Sequence, residues 1–446
     1  MSQIKTHTFP NGFRVIHEPP YNNIALSKIQ VYCRLGSIYE DEHSRGASHM
    51  IEHMCFKGTK KYPTSNDVTI IFDRVGAYLN ATTDKQYTYY SVECNLKDTN
   101  ICLHTVADMM LNSTFDRKEF DKEMDVVIEE NVKDASDPMY SMIDDLDAML
   151  FDGTPYKYTV DDIKYHTHKH GLKYDKLIDI YNKYYVPHNM LLSIVSPLSF
   201  EKVLTIVRNS DFVKSKYPQT FPSLNMFSNN SFPPKQHIQT HLYSIPSIQT
   251  THIGIGFRVC SLFNEKHIDL LSMISSILSG SFMSRLYVVL RDENGLTYSS
   301  SSFLNKYEQA SGFIIRATTD TAKLLKNGTK KGVIPIVIDL LNDLIQNGIS
   351  QSELNYTKQF LEGNMRMRAE KSDVQIGYNG KQVFIYNREE VLPYHKTYDT
   401  RYKKIRISEL NSVVRTYFTK ENMFVSIYGG KLPSRTKIEN ALNSLR

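Results

Sequence analysis

Apolar and polar residues alternate along Phe13–His17, Ile29–Arg34, Tyr87–Cys94 and Met190–Val195, and this period of two predicts strands. Longer stretches, Asn100–Ser113, Lys176–Tyr184 and His267–Ser279, space their apolar residues at three and four, which predicts amphipathic helices. Strands in hairpin order followed by blocks of helix predict an α+β fold, each domain a mainly antiparallel sheet packed with helices. A strict alternation of strand and helix would have predicted a parallel sheet instead. The acidic run Glu123–Glu130 encloses Val126, Val127 and Ile128, which predict a buried helical segment.

The pattern occurs twice. Sliding residues 29–54 by 224 positions sets Ile29 on Ile253, Arg34 on Arg258, Ser37 on Ser261, His43 on His267 and Ser48 on Ser272. A second echo, at an offset of 233, lays Tyr184–Ile194 on Tyr417–Ile427. Two echoes in the same order argue for a duplicated domain. Between the copies, Lys214–Lys235 carries four prolines among polar residues and reads as a linker. The expected organisation is therefore 1–212, a linker at 213–237, and 238–446. At 446 residues, each half is long enough to bury its own core.

Composition narrows the function. The formal net charge of +5 is modest and forms no basic cluster, which argues against nucleic acid as partner. No run of eighteen apolar residues exists, so no membrane span is expected. The first strand begins within about a dozen residues of Met1, which leaves no room for a signal or transit segment. Five cysteines, Cys33, Cys55, Cys94, Cys102 and Cys260, show no C-x-x-C spacing and read as buried, reduced thiols. These features predict a cytoplasmic protein. Abundant Tyr, Asn, Ile and Lys without Trp suggest an AT-rich genome, and for a viral chain the compartment would be the host cytoplasm.

Residues 49–53 read His-Met-Ile-Glu-His. On a helix, His49 and His53 stand one turn apart on the same face and can grip one Zn²⁺. Glu52 lies close to that face without being needed as a ligand, which suits a general base. This is the H-x-x-E-H order of the inverzincins. Hydrolytic zinc sites often add a carboxylate to two histidines. Glu123 and Glu130 are the best supply, two turns apart on one face, whereas Glu129 points about 100° away. A five-residue motif arises by chance in roughly a few chains per hundred, so its surroundings matter. The run His166-Thr-His-Lys-His170 also offers imidazoles, but without nearby carboxylate or cysteine it reads as adventitious.

The run Arg45–Thr59, which contains the motif, resembles the zinc-site helix and turn of the M16 (pitrilysin-type) metallopeptidases. Its style is that of the branch holding the mitochondrial processing peptidase β subunit and bacterial relatives. In that family a glutamate about 75–77 positions past the last histidine completes the site. The resemblance thus gives the ligand role to Glu130 and gives Glu123 the role of orienting a ligand. Gly76–Thr83 resembles the family's substrate-pairing edge strand, which implies that Leu79, Asn80, Ala81 and Thr82 hold an extended peptide. A duller reading of Asn80 is a residue that satisfies local backbone. Ser284–Tyr298 resembles a C-terminal-half segment whose arginine and tyrosine serve the active site, here Arg291 and Tyr298. Asp292 and Glu293 leave a solvated charge cluster as the plain reading of Arg291.

The resemblance implies a zinc endopeptidase with one Zn²⁺ per chain, acting on peptides or unfolded polypeptide. Glu52, Arg291 and Tyr298 would be its catalytic residues. It also implies a homodimer or a heterodimer with an M16-like subunit. In the second copy His49, Glu52 and His53 become Met273, Ser276 and Ile277, and the Glu130 position falls near Gly363 or Asn364. The alternative is a catalytically silent M16-like structural or peptide-binding subunit. Such relatives typically have broken zinc motifs, whereas this chain retains every residue.

Overall fold

The computed structural model describes residues 4–21, 25–160, 171–215 and 238–445. The 166–170 histidines and nearly all of the linker lie outside the described residues. The first half contributes β1 (Lys5–Thr8), β2 (Arg14–Glu18), β3 (Leu26–Cys33), α1 (Ala47–Met54), α2 (Ser65–Arg74), β4 (Tyr78–Thr83) and β5 (Thr88–Asn95). It continues with α3 (Thr99–Asn112), α4 (Arg117–Ser136), α5 (Pro138–Leu150), α6 (Tyr174–Tyr184), β6 (Met190–Val195), α7 (Phe200–Asn209) and α8 (Asp211–Lys214). The second half begins with β7 (Gln239–Ser244), β8 (Thr250–Val259), α9 (Glu265–Ser279), β9 (Thr297–Lys306) and β10 (Ser311–Asp320). After a short ribbon, β11 (Lys326–Asn327) and β12 (Lys330–Lys331), come α10 (Val333–Gln346), α11 (Gln351–Ala369) and α12 (Ser372–Phe384). The chain closes with α13 (Ile407–Tyr417), β13 (Met423–Gly429) and α14 (Arg435–Leu442).

The fold is α+β with two homologous domains. One sheet runs β1-β2-β6-β3-β5-β4 and the other β7-β13-β8-β10-β9, so the second repeats the first without β1. Every neighbouring pair is antiparallel except β2/β6 and its counterpart β7/β13. Both sequence echoes land in register. Ile29 pairs with Ile194 in the first sheet, and their equivalents Ile253 and Ile427 pair in the second. Asn189 donates its amide to the carbonyls of Tyr184 and Arg34, while Asn422 donates to those of Tyr417 and Arg258. Those acceptors are the same residues displaced by 233 and 224, so the duplication extends to individual hydrogen bonds.

Packing crosses the sequence repeat twice. The first compact unit takes most of its residues from the first half and adds Arg366–Lys396; the second adds Lys133–Lys157. Each sheet thus has one face on its own core and the other under a helix from the opposite half. In the first unit Ile29, Val31 and Cys33 of β3 enter the apolar core with α3. The alternate residues meet α12, where Lys28 pairs with Asp373 and Tyr32 lies against Gly380. Buried Glu18 of β2 accepts from Asn379, and Arg14 and Arg34 donate to the last carbonyls of α12. In the second unit α5 lies across β8 and β13. A side chain on Gly254 or Gly256 would strike Met142, Leu146 or Leu150, so those glycines admit the helix.

The prediction of a buried segment around Val126–Ile128 needs correcting. Val127 is fully buried, but Val126 is 41% exposed, because α4 turns only one stripe to the core. Four of the cysteines are buried and Cys260 is partly so; none is in a disulfide. Among the described residues no single helix is long and apolar enough to cross a membrane.

Helix exchange carries a direct test. A Cβ on Gly380 would sit 2.5 Å from the ring of Tyr32, which is buried among Tyr87, Tyr89 and Phe384. Gly380→Val should therefore lower stability by about 1–3 kcal/mol through overpacking. Gly363→Ala, on an exposed turn of α11 with open space around it, should be neutral or stabilising by up to about 1 kcal/mol. Urea unfolding measures both, and an unaffected Gly380→Val chain would contradict the packing of α12.

Candidate active site

α1 is amphipathic in the sense that matters here. Ala47, Met50, Ile51 and Met54 are fully buried in the core, which turns His49, Glu52 and His53 to the other face. The two imidazole side chains are only 15% and 16% exposed. Their rings lie edge to face with centroids 4.5 Å apart, and the Nε2 atoms are 3.1 Å apart. The carboxylate of Glu130 on α4 closes the third side, with Oε2 3.4 Å from His53 Nε2 and 3.9 Å from His49 Nε2. Four ligands held tetrahedrally at the usual zinc distances stand about 3.3 Å from one another. Separations of 3.1, 3.4 and 3.9 Å fit such a site with its fourth corner open. Two imidazoles and a carboxylate are also donors that zinc accepts, and the three together form a group able to hold a metal ion.

The heptad on α4 separates the two glutamates by environment. Glu123, Val127 and Asn131 are buried on the inward stripe, whereas Glu129 and Glu130 are both exposed, the Glu130 side chain by 49%. Glu123 Oε1 lies 3.0 Å from His53 Nδ1, and its Oε2 takes the ammonium of Lys57 at 2.5 Å. Burial pushes the Glu123 carboxyl up, but the hydrogen bonds from His53 and Lys57 outweigh it and hold it below the ordinary range. An anionic Glu123 draws the imidazole proton to Nδ1 and leaves Nε2 of His53 with a lone pair towards Glu130 and His49.

Glu52 stays out of the three-atom cluster. Its Oε2 accepts from the hydroxyl of Thr83, at 2.5 Å, and Thr83 is the last residue of β4. β4 is an edge strand that contacts α1. Leu79, Ala81 and Thr83 are half-buried on one side, whereas Tyr78, Asn80 and Thr82 are exposed on the other. Asn80 Oδ1 accepts from the Ala81 amide at 2.9 Å, as its local backbone role requires. Arg291 and Tyr298 belong to the second unit, where they meet each other. The guanidinium donates to the Tyr298 carbonyl at 3.1 Å and lies over the Tyr287 ring, and Tyr298 is 85% exposed.

Sequence reasoning missed three residues of this site. Lys57 stands four past His53, a spacing that signals proximity on a helix but says nothing of a partner on α4. Thr83 ends the edge strand, where alternation says nothing of a hydroxyl's partner. Glu40 is buried, and its carboxylate accepts from the amides of Gly46 at 2.9 Å and Ser48 at 2.7 Å. The one available signal was an acidic residue upstream of a helix whose first cap position is a glycine.

In the second unit the equivalents of the two histidines, Met273 and Ile277, are buried in the apolar core. α11 begins 234 positions after α4, and α12 begins the same distance after α5, which places Asn364 at the position of Glu130. None of these side chains can repeat the cluster.

Comparison with known proteins agrees with this division. A family model described as insulinase (peptidase family M16) matches residues 18–164, and one described as peptidase M16 inactive domain matches 171–361. The chain is 27% identical over 442 residues to an uncharacterized zinc protease, YmxG, of Bacillus subtilis, covering 97% of this chain and 100% of the relative. It is 26% identical over 390 residues to an uncharacterized zinc protease of Rickettsia bellii, covering 85% and 87%. Among solved structures, a protease from Helicobacter pylori shares the fold with a TM-score of 0.85 at 21% identity, covering 96% of this chain and 100% of that one. The periplasmic protease PqqL of Escherichia coli matches with a TM-score of 0.79 at 17% identity; this chain is covered completely and spans 50% of PqqL. The two family models together span most of the sequence, and the chain belongs to peptidase family M16.

Proposed function

We propose that this chain is a zinc-dependent endopeptidase that cleaves peptides or unfolded polypeptide segments. The observation that carries the reading is the convergence of His49, His53 and Glu130 beside a glutamate, Glu52, that is left out of the cluster. Those three residues would hold one Zn²⁺ per chain, and a zinc ion so held acts as a Lewis acid that polarises a carbonyl and makes water a nucleophile near neutral pH. Glu52 would accept the proton of the attacking water and return it to the leaving amine. Its hydrogen bond from the Thr83 hydroxyl holds the carboxylate in a fixed orientation beside the cluster. The open edge of β4, at Leu79–Thr82, would hold the substrate extended by adding a strand to the sheet. Tyr298 would donate to the developing oxyanion, and Arg291 would anchor a substrate carbonyl or carboxylate. The working unit would be a homodimer or a heterodimer with an M16-like subunit.

Three variants test the roles. Glu52→Gln should keep its zinc and fold while peptide cleavage falls by roughly 10²–10⁴-fold, the usual worth of a general base. Cleavage of a quenched peptide at the parent rate would remove Glu52 from the mechanism.

Glu130→Gln should shed or weaken the metal, whereas Glu129→Gln should retain it, since the two side chains point about 100° apart on α4. Metal analysis after gel filtration reads both. Equal loss in the pair, or loss only with Glu129→Gln, would overturn the assignment of Glu130 as the ligand.

Tyr298→Phe should retain zinc and slow turnover. An oxyanion donor is worth about 2.7–4 kcal/mol, and a chain unaffected by the change would confine Tyr298 to a structural role.

A further inference from the structure

We propose that Glu40 is a positioning residue for the first metal ligand: its carboxylate closes the open start of α1 and so holds His49 where zinc requires it. The inference rests on the zinc reading above.

The two histidines of α1 are secured in different ways. His53 lies in the last turn, and its ring is fixed directly by the hydrogen bond to Glu123. His49 lies in the first turn, at the third helical position, where backbone amides have no partner within the helix. The position before the helix is Gly46, in the left-handed region at φ +79°, and it has no side chain with which to cap. A frayed first turn would swing His49 while leaving His53 in place.

Glu40 supplies the missing cap from a distance. Its two oxygens accept from Gly46 and Ser48, and the Ala47 amide goes to the Ser44 carbonyl at 3.0 Å. The first intrahelical bond, from Met50 to the Gly46 carbonyl, then follows at 3.0 Å. Burial raises the Glu40 carboxyl above its ordinary value, against the lowering pull of the Ser48 and Gly46 hydrogen bonds and of Arg45; in its ionised form it also meets the positive end of the helix dipole. Arg45 adds a cation nearby; it donates to the Ser37 carbonyl at 3.2 Å, and its guanidinium lies over the Tyr158 ring.

The loop that carries Glu40 is itself anchored. The Ile38 amide donates to the Lys85 carbonyl at 3.0 Å, in the turn between β4 and β5. Gly36 lies so close to this turn that a Cβ would fall 2.2 Å from the Asp84 carbonyl oxygen. The same hairpin ends β4 at Thr83, which holds Glu52. Through Glu40, one turn sets the start of the metal helix as well as the orientation of the base.

Zinc affinity of the full chain, measured by chelator competition, tests the proposal. Residues that orient metal ligands typically cost 10–100-fold in affinity when removed. Glu40→Ala should show a loss of that size, with zinc stoichiometry restored at saturating metal. Glu40→Gln keeps the shape and one acceptor oxygen and should fall between Ala and the parent. Hydrogen exchange on the parent chain supplies a check that needs no variant. The Ser48 amide should be protected although it lies in a first turn, and rapid exchange there would overturn the cap. Parent-like zinc affinity in folded Glu40→Gln and Glu40→Ala chains would overturn the proposal while leaving the zinc reading intact. A parent that binds no zinc would sink both.

Discussion

The hydrogen bond between His53 and Glu123, 3.0 Å long, joins two helices whose residues lie seventy positions apart in sequence. Most of the candidate site depends on it. It chooses which nitrogen of His53 is free, and it uses up one of two glutamates that sequence alone leaves equivalent. Lys57 completes the arrangement by occupying the other Glu123 oxygen, so that this carboxylate is a hydrogen-bond acceptor and Glu130 is the one left facing both Nε2 atoms. Without that division, two carboxylates would compete for one position, and the geometry of three close donor atoms would have no fixed occupant.

Duplication gave the protein two sheets of the same topology, and the physical chemistry of their outer faces explains why each half lends a helix to the other. Both faces of each sheet carry residues that demand cover: Tyr32 and Glu18 in the first unit, and a run of small residues at Gly254, Gly256 and Gly312 in the second. The solutions differ in detail. In the first unit the helix is thinned, at Gly380, to admit a sheet tyrosine; in the second the sheet is thinned to admit Met142, Leu146 and Leu150. The copy without the metal cluster spends those positions on packing, since Met273 and Ile277 enlarge its apolar core.

Much of this was legible in the sequence, for physical reasons that can be named. Period-two and helical patterns located the elements they predicted to within about three residues, the largest miss being the start of β3 at Leu26 rather than Ile29, because burial on one face leaves that signature. The repeat offsets fell on paired strands, because register fixes which residues can be exchanged without moving a side chain to the wrong face. His49, His53, Glu123 and Glu130 were legible because helical geometry makes spacings of four and seven into statements about direction. Partners contributed by other elements were not legible. Glu40, Lys57 and Thr83 act through loops and strand ends, where no periodicity reports direction. The exchange of α5 and α12 was hidden for a similar reason: an amphipathic pattern shows that a helix needs a partner, not which sheet provides it. Val126 misled because three apolar neighbours on a helix cannot all face the same way.

X-ray absorption at the zinc edge tests most directly whether two imidazoles and one carboxylate of the first domain hold zinc. The purified chain should bind one zinc, with a first shell of nitrogen and oxygen near 2.0–2.2 Å that includes two imidazoles and no sulfur. A shell containing sulfur near 2.3 Å would place the metal on a cysteine, and a chain that binds no zinc would leave the cluster without its ion. Either result would contradict the account.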